Sequence, residues 1–263
     1  MSQCACRELL KKLRIFWALI RRDLFVLGKN YRRMVIDALF VTATQATIFL
    51  KLFPLLGMPP AFATPIYVGT SIGFVFFLGF ASASALTEDL ERNRFIDYYL
   101  TLPISRHWIL AKYVVSFAIE NSIIIAPLVI AVVGLSVGFK QTSWFYFLFF
   151  YPTTLSFLGL LFLMFGMRYK PLWFRSNIWP RRLLPMLFFN AGLSTWWNIY
   201  NFSPVIAYLM LLNPMSYASE GLRATLLEGN YLPVWFCMGA FTLFALPIIW
   251  LLNKSIKTRL DPV

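Results

Sequence analysis

Charged residues are scarce in this sequence. They make up 13% of its 263 residues, whereas 59% are hydrophobic, and the mean hydropathy is +0.68. A chain of this length with so little polar surface cannot enclose a water-soluble core. The composition therefore predicts a protein whose solvent is the lipid bilayer.

Residues and motifs that carry chemistry are also few. The single histidine, His107, and the three cysteines show neither metal-ligand spacing nor a pairing pattern for disulfides. The sequence has no Gly-x-x-x-x-Gly-Lys-[Ser/Thr] loop for ATP phosphates and no Gly-x-Ser-x-Gly nucleophile motif. These absences disfavour an enzyme, including a lipid transferase, and predict that the chain itself binds no cofactor or metal. If transport is driven by ATP, the ATPase is another protein.

Acidic residues number only 11 against 24 lysines and arginines, which gives a net charge of +13. A nucleic-acid-binding protein would carry such a charge on a soluble face. Here the basic residues form short patches between apolar segments. We therefore expect contacts with membrane lipids and none with nucleic acid.

Six segments are apolar enough to cross a bilayer core of about 30 Å as helices of roughly 20 residues. They cover residues 34–53, 64–86, 113–137, 143–167, 183–200 and 231–252. After the fifth segment, Pro204 interrupts a long uncharged stretch, which predicts a non-spanning region at residues 201–230. The sequence thus predicts an all-α integral membrane protein with six transmembrane helices and short re-entrant helices before the last one.

The basic residues predict the orientation of these spans. With the N-terminus inside and six crossings, 21 of the 24 lysines and arginines fall in inner segments. Basic residues accumulate on the cytoplasmic side of membrane proteins. We therefore expect a multi-pass protein with both termini in the cytoplasm.

Residues 1–30 are predicted to form an amphipathic helix. From Leu9 to Leu27 the apolar residues recur at helical spacing, and most basic residues lie on the remaining face. Such a helix lies flat on the inner membrane surface, attracted by anionic lipid, or packs against a soluble partner. Gly28 is its expected end, and residues 31–263 then form the transmembrane domain.

The cytoplasmic segment 88–106 mixes acids, bases and aromatic residues in one helix-sized piece. A simple connecting turn needs none of these, so the composition predicts a docking surface for a partner. Pro103 ends its helix, and Ser105 is placed to cap the helix of the third span. The predicted docking residues are Glu88, Asp89, Glu91, Arg92, Arg94, Asp97, Pro103, Ser105 and Arg106.

A second polar segment precedes the last span. It reads Asn213-Pro214-Met215-Ser216-Tyr217-Ala218-Ser219-Glu220-Gly221-Leu222-Arg223. Asn213 is a helix cap and Pro214 a first helical residue in this pattern, and Gly229 with Asn230 marks the end. The predicted helix is too short and too polar to span a bilayer.

These two segments resemble parts of the ABC-2 family of exporter permeases. Leu102-Pro103-Ile104-Ser105-Arg106 is similar to the Thr-Pro-Val-Ser-Arg-like turn that follows the family's charged cytoplasmic helix. The family's Asn-Pro-Leu-Thr-Tyr-Ala-x-Glu-x-Leu-Arg signature is matched at Asn213, Pro214, Tyr217, Glu220 and Arg223.

The resemblance implies the membrane subunit of an ATP-driven exporter in the bacterial inner membrane. Its partners would be separate ABC ATPase subunits, which hold ATP and Mg, and a second permease copy in a homodimer or related heterodimer. Segment 88–106 would be the coupling helix, and the family places two short re-entrant helices before the last span. The expected substrates are amphipathic compounds, lipids or lipid-linked glycans.

Polar and aromatic residues in the predicted spans are candidates for a translocation path. Glu120, with Asn121 beside it, lies in the third span, where a charge costs at least about 2.5 kcal/mol unless it faces protein or water. Glu120 is either part of a path or a packing residue; as a coupling or selectivity group it would favour an ATP-independent transporter or channel. Trp196, Trp197 and Tyr200 form an interfacial belt or stack on sugar rings or lipid-linked substrates.

Two further features of the predicted spans indicate packing. Asp37, near the inner end of the first span, is placed to pair with Arg33. Gly69 and Gly73 form a small-xxx-small pair, which lets the second span approach another helix closely.

Overall fold

A computed structural model of the chain describes residues 3–93, 95–137 and 143–260. Within these ranges the chain is helical almost throughout and contains no β-strand. The α-helices are α1 (Gln3–Ala46), α2 (Phe53–Leu55), α3 (Pro60–Glu88), α4 (Phe95–Leu100), α5 (Arg106–Val132), α6 (Trp144–Arg168), α7 (Pro171–Trp173), α8 (Leu184–Phe188), α9 (Trp196–Phe202), α10 (Pro204–Met210), α11 (Pro214–Leu226) and α12 (Val234–Leu260). Wider π-helical segments cover Thr47–Leu52, Asp89–Asn93, Val133–Val137 and Phe174–Leu183.

Five helical stretches among the described residues are long and apolar enough to cross a membrane. They are Tyr31–Leu55, Phe62–Arg92, Arg106–Leu135, Trp144–Arg168 and Val234–Arg259. These candidate spans correspond to the first four and the last of the six predicted segments. The all-helical architecture is therefore confirmed, and the chain is compatible with a multi-pass membrane protein.

The predicted end of the N-terminal helix at Gly28 is wrong. α1 continues through Gly28, and with Thr47–Leu52 and α2 it forms one helix from Gln3 to Leu55. Glycine in a helix costs about 1 kcal/mol relative to alanine but removes no backbone hydrogen bond. The amphipathic stretch and the first candidate span are thus one continuous helix.

The predicted helix over residues 183–200 is also wrong. α7, the π-helical segment and α8 form one helix from Pro171 to Phe188, and residues 189–195 are not helical. α9 then begins at Trp196. The helix breaks here because side chains from later helices, and not the next helical turn, bind the carbonyl groups of this stretch.

The helix from Pro171 to Phe188 runs antiparallel to α3. Its Arg175 pairs with Glu88 at the end of α3, Trp179 packs on Phe80 with 4.1 Å between ring centroids, and Leu187 lies beside Gly73. The chain therefore runs beside about half of α3, from Glu88 to Gly73, between Arg175 and the break after Phe188.

Helices α3, α5, α6 and α12 pack together around an aromatic core. The Phe162 ring lies 4.9 Å from that of Phe76 in α3 and 6.4 Å from that of Phe117 in α5. Phe241 of α12 stacks on Phe157 at 4.7 Å. Aromatic pairs at these separations add to the stabilisation that comes from burying apolar area.

Ion pairs join several charged segments at one end of this bundle, called the charged end below. The pairs are Asp23–Lys112 at 2.6 Å, Glu88–Arg175 at 2.5 Å and Glu91–Arg259 at 3.8 Å. At the opposite end, the amide of Ser143 donates to the carbonyl of Thr225 at 3.0 Å. The four segments that the sequence assigns to the cytoplasm therefore meet at the charged end.

Candidate functional site

The segment between the second and third candidate spans is a short helix between two changes of direction. α3 passes into the π-helical turn Asp89–Asn93, α4 follows, and α5 begins at Arg106. The expected end before Pro103 is confirmed, because α4 stops at Leu100. Ser105 occupies the N-cap position of α5, but its side chain makes no capping hydrogen bond; its carbonyl accepts from the Trp108 amide at 2.9 Å instead.

Several residues of the predicted docking set also make contacts within the chain. Glu88 and Glu91 pair with Arg175 and Arg259 of the same chain, and Asp89 lines a cavity of about 530 Å³ inside the charged end. The exposed residues of the predicted set include Arg92, Pro103, Ser105 and Arg106. Arg94 and the side chain of Asp97 lie outside the described residues.

The two tyrosines of α4 have roles that the sequence pattern did not predict. Tyr98 is 63% exposed at the charged end, whereas Tyr99 is buried. The guanidinium carbon of Arg22 and the ammonium of Lys112 lie 5.1 Å and 5.0 Å from the centroid of the Tyr99 ring, and Arg22 also donates a hydrogen bond to the phenol oxygen. Cations are attracted to aromatic faces at this range. Tyr99 therefore connects α4 to both α1 and α5.

Asp23 completes this polar cluster on α1. Its carboxylate accepts hydrogen bonds from Lys112 at 2.6 Å and from the hydroxyl of Ser116 at 2.8 Å. Burial by itself would raise the pKa of Asp23, but the hydrogen bond and charge of Lys112, with the hydrogen bonds of Ser116 and Arg22, hold this pKa below its ordinary value. The cluster fixes the N-terminal part of α1 against α5.

Asp23→Asn is expected to lower the unfolding temperature near neutral pH and to have little effect in acid. A carboxyl with a lowered folded-state pKa stabilises the protein above its unfolded pKa, about 3.9, and this stability is lost as the pH falls through the folded value. The difference is measured by unfolding midpoints in detergent, from about pH 7 down to the acid pH at which the wild-type midpoint stops falling.

Asp37→Asn is the matched control for this measurement. The Arg33 Nε atom lies 3.9 Å from Asp37 Oδ2 on an exposed face, which confirms the predicted pair, and exposed pairs contribute little stability. A destabilisation by Asp23→Asn that is the same at both ends of the pH range would show that the charge of Asp23 is not its source.

The polar motif before the last candidate span forms α11, and its predicted start is confirmed. The Asn213 side chain accepts from the Met215 amide at 3.0 Å, and Pro214 is the first helical residue. The Asn213 amide group also donates to the carbonyls of Met186 at 2.6 Å and Phe189 at 2.5 Å. One residue thus caps α11 and binds the end of the helix at Phe188.

Glu220 and Arg223 form an ion pair that is fully buried. Arg223 Nη1 lies 2.8 Å from Glu220 Oε1, and neither side chain is exposed. The rest of the guanidinium donates to carbonyls of two other segments: Pro65 at 2.7 Å, Gly192 at 2.6 Å, Ser194 at 3.2 Å, and Ala191. Each of the three guanidinium nitrogens thus has at least one acceptor, and such partners are what make a buried arginine tolerable.

Glu220 makes the complementary contacts. Its carboxylate accepts from the amide of Trp196, the first residue of α9, at 3.0 Å, and from the amide of Leu232 at 3.3 Å. The pair therefore joins α3, the break at residues 189–195, α9 and the segment that leads into α12. We call these two residues and their partners the buried ion-pair centre.

The surroundings of Gly69 explain why the second candidate span has a glycine at this position. A Cβ atom built there would fall on the Arg223 guanidinium and on the Gly192 carbonyl. The close approach predicted from Gly69 and Gly73 is present, but at Gly69 a charged side chain and a loop fill the space. Tyr217, the remaining signature residue, is buried, with its ring 5.8 Å from Phe236 of α12.

Glu120 and Asn121 face different surroundings. Glu120 lines a cavity of about 560 Å³ between α1 and α5, together with Asp23 and Asp37. Asn121 is buried, does not line that cavity, and donates to the Phe117 carbonyl at 2.8 Å. Among the described residues, no group of three or more His, Cys, Asp or Glu is placed to hold a metal ion.

Trp196, Trp197 and Tyr200 lie together at the end opposite the charged end. The Trp196 ring is buried, stacks on Tyr200 at 5.1 Å, and donates from Nε1 to the Ala207 carbonyl at 3.0 Å. Trp197 is 41% exposed and lies 5.2 Å from Trp196. Within this cluster, Trp196 is therefore part of the packed interior, whereas Trp197 faces outward.

A scan against known protein families finds no match for this chain, and a search of curated proteins finds none either.

Proposed function

We propose that this chain is the membrane-spanning permease subunit of an ATP-driven exporter of the ABC-2 type. It would work with separate ATPase subunits and with a second permease copy, identical or related. Its substrate would be an amphipathic compound, a lipid or a lipid-linked glycan moved out of the cytoplasm or inner leaflet. The ATP and Mg would be held by the ATPase.

The observation that carries this proposal is the arrangement of α4. Tyr99 fixes this short helix to α1 and α5, while Tyr98, Arg92 and Pro103 remain exposed on the same segment. An exposed tyrosine and arginine are typical centres of protein interfaces. Such a surface, fixed to two membrane helices, is suited to receive motion from a cytoplasmic partner.

Six crossings and cytoplasmic termini are part of the proposal. The sixth crossing would be the helix from Pro171 to Phe188 together with the broken stretch up to α9, because this helix leaves the charged end and runs along α3. α10 and α11 would then be the re-entrant helices of residues 201–230. The sequence places 21 of the 24 basic residues in the segments assigned to the inside, and this bias supports the proposed orientation in a bacterial inner membrane.

The N-terminal part of α1 would lie at the inner membrane surface, which requires the continuous helix to tilt strongly or bend before the first candidate span begins at Tyr31. Leu19 and Ile20 are buried within the protein, but Leu10, Leu13 and Trp17 are exposed on a neighbouring face. Arg7, Arg14 and Arg21 are exposed as well. An apolar strip beside basic residues is the arrangement that binds anionic lipid surfaces.

The test is affinity purification of the tagged chain in mild detergent, with mass spectrometry of bound proteins and an ATPase assay. We expect a stoichiometric ATPase with the wild type and a loss of about 30-fold or more in the Arg92→Ala/Tyr98→Ala variant, as for interface residues of large effect. Tyr208→Ala is the control, because Tyr208 is 58% exposed at the opposite end.

A wild-type chain that carries no ATPase would contradict the proposal and favour the second candidate, an ATP-independent transporter or channel. The observation behind that candidate is the cavity that Glu120 shares with Asp23 and Asp37, since intramembrane carboxylates commonly mark ion and substrate paths. Proton-driven flux in proteoliposomes without ATPase, lost in Glu120→Gln, would establish it.

A further inference from the structure

A cavity of about 380 Å³ opens at the end of the molecule opposite the charged end. The start of α3, the loop before α9, α9 itself and the connector before α12 form its walls. Its volume is in the range of small-molecule sites. The side chains at its surface include Trp197, Tyr231, Asn198, Asn201, Asn230 and Glu228.

The charge of this cavity disfavours anionic ligands. None of the described residues that line it is basic, and Glu228 supplies a carboxylate. A phosphate or carboxylate ligand would need cationic or backbone donors to replace its hydration. An anionic ligand is therefore disfavoured, and the asparagines and aromatic rings together favour a neutral ligand that offers both polar groups and an apolar face; a cation is the alternative that the test below separates.

We propose that this cavity binds a neutral sugar unit of the transported substrate on its outer side, an inference that rests on the exporter function proposed above and narrows its substrate to a lipid-linked glycan. A pyranose ring has one face of C–H groups, which packs on an indole or phenol, and a rim of hydroxyl groups. Asparagine side chains both donate to and accept from hydroxyls, and the carboxylate of Glu228 accepts. The cavity supplies all of these groups together.

The aromatic wall is held in place before any ligand arrives. Trp197 lies against Trp196 and, at 5.7 Å, against Tyr200, and the backbone amide of Trp196 is bound by Glu220 of the buried ion-pair centre. Gly229 has a φ of +152°, which favours glycine, and a Cβ atom added there would come within 3.1 Å of the Tyr231 ring. Groups that are already positioned bind a ligand at a smaller entropic cost.

The test is binding of neutral methyl glycosides to the purified full chain in nanodiscs, without ATPase or ATP. Saturation-transfer NMR and calorimetry would use the methyl glycosides of glucose, galactose, mannose and N-acetylglucosamine. We expect saturable binding of at least one of them, and about tenfold weaker binding by Trp197→Ala. The Asn198→Ala/Asn201→Ala variant changes exposed side chains only and is expected to bind about tenfold more weakly as well.

Trp235→Ala is the matched control, because Trp235 is 64% exposed and does not line this cavity. The inference would be overturned by the absence of saturable binding, by Trp197 and asparagine variants that bind as tightly as the wild type, or by a preference for choline over every glycoside. Each result is independent of the ATPase co-purification, so failure here leaves the exporter proposal standing, and the reverse also holds.

Discussion

Arg223→Leu is expected to abolish the accumulation of folded protein. The substitution leaves the Glu220 carboxylate buried without its cation, and it leaves the carbonyls of Pro65 and Gly192 without their donors. Breaking a buried pair costs about 3–5 kcal/mol, and each unpaired acceptor adds about 1–3 kcal/mol. Folded domains have only about 5–15 kcal/mol of stability in total. Size-exclusion chromatography of a fluorescent fusion in detergent measures the folded fraction.

Arg175→Leu is the matched control for this prediction. Its ion pair with Glu88 is as short as 2.5 Å, but its side chain is 51% exposed, and exposed pairs contribute about 0–1 kcal/mol. Arg223→Lys should behave more like Arg223→Leu, because an ammonium cannot reach the acceptors that the guanidinium fork reaches. Equal folded yields of Arg223→Leu and Arg175→Leu would show that the buried ion-pair centre is not needed for folding.

A pair of glycine substitutions tests the same centre from the α3 side. Gly69→Ala is expected to destabilise the protein, since its methyl group would overlap Arg223 and the Gly192 carbonyl; overpacking typically costs about 1–3 kcal/mol. Gly28→Ala should be neutral or stabilising by up to about 1 kcal/mol, because no atom lies within 4 Å of the new methyl group. The distinction would be confirmed if Gly69→Ala lowers the thermal unfolding midpoint while Gly28→Ala leaves it unchanged or raises it.

The parts of the fold that depend on local pattern were predictable from the sequence. The sequence predicted five candidate spans, from the first four apolar segments and the last one, because the length of an apolar segment depends only on consecutive residues. Asn213 and Pro214 specified the start of α11 for the same reason, since a cap acts on the next two or three amides.

Both errors in the helix boundaries arise because a local sequence signal was overridden by the presence or absence of tertiary contacts. At Gly28 the sequence offered a helix stop, but nothing else in the molecule competes for the backbone there, so the helix continues. At residues 189–195 the sequence offered an apolar helix, but Asn213 and Arg223 donate hydrogen bonds to carbonyls within residues 186–194. Tertiary hydrogen bonds decided the second case, and no local pattern contains them.

The candidate sites likewise combine features that the local sequence predicts with features that depend on distant residues. The resemblance singled out Glu220 and Arg223, but their role as a buried centre depends on Pro65, which lies 158 residues from Arg223 in the sequence. Sequence alone treated Glu88 and Glu91 as docking carboxylates, whereas both pair within the chain. The adjacent Tyr98 and Tyr99 were a visible signal of two different roles, because neighbouring residues on a helix point about 100° apart.

Tyr99→Ala is expected to separate ATPase binding from the motion that ATP drives. The ring joins α4 to Arg22 of α1 and Lys112 of α5, so its removal leaves the exposed surface in place and disconnects it from the membrane helices. If the proposed second permease copy is identical, a spin label at Phe202→Cys, in a chain without its native cysteines, gives one distance between the two copies; Phe202 is 84% exposed at the end opposite the charged end. We expect ATP and Mg to shift this distance in the wild type and not in Tyr99→Ala.

Substitution of the two neighbouring tyrosines is expected to have different effects on ATPase binding and on the ATP-dependent distance change, and this contrast makes the prediction specific. Tyr98→Ala should lose the ATPase, whereas Tyr99→Ala should keep it and lose the ATP-dependent distance change. Tyr99→Phe retains the ring beside both cations and loses only the hydrogen bond from Arg22, so most of the distance change should remain. A full distance change in Tyr99→Ala, or loss of the ATPase from it, would contradict the assigned role, because Tyr99 would then be either dispensable or part of the docking surface itself.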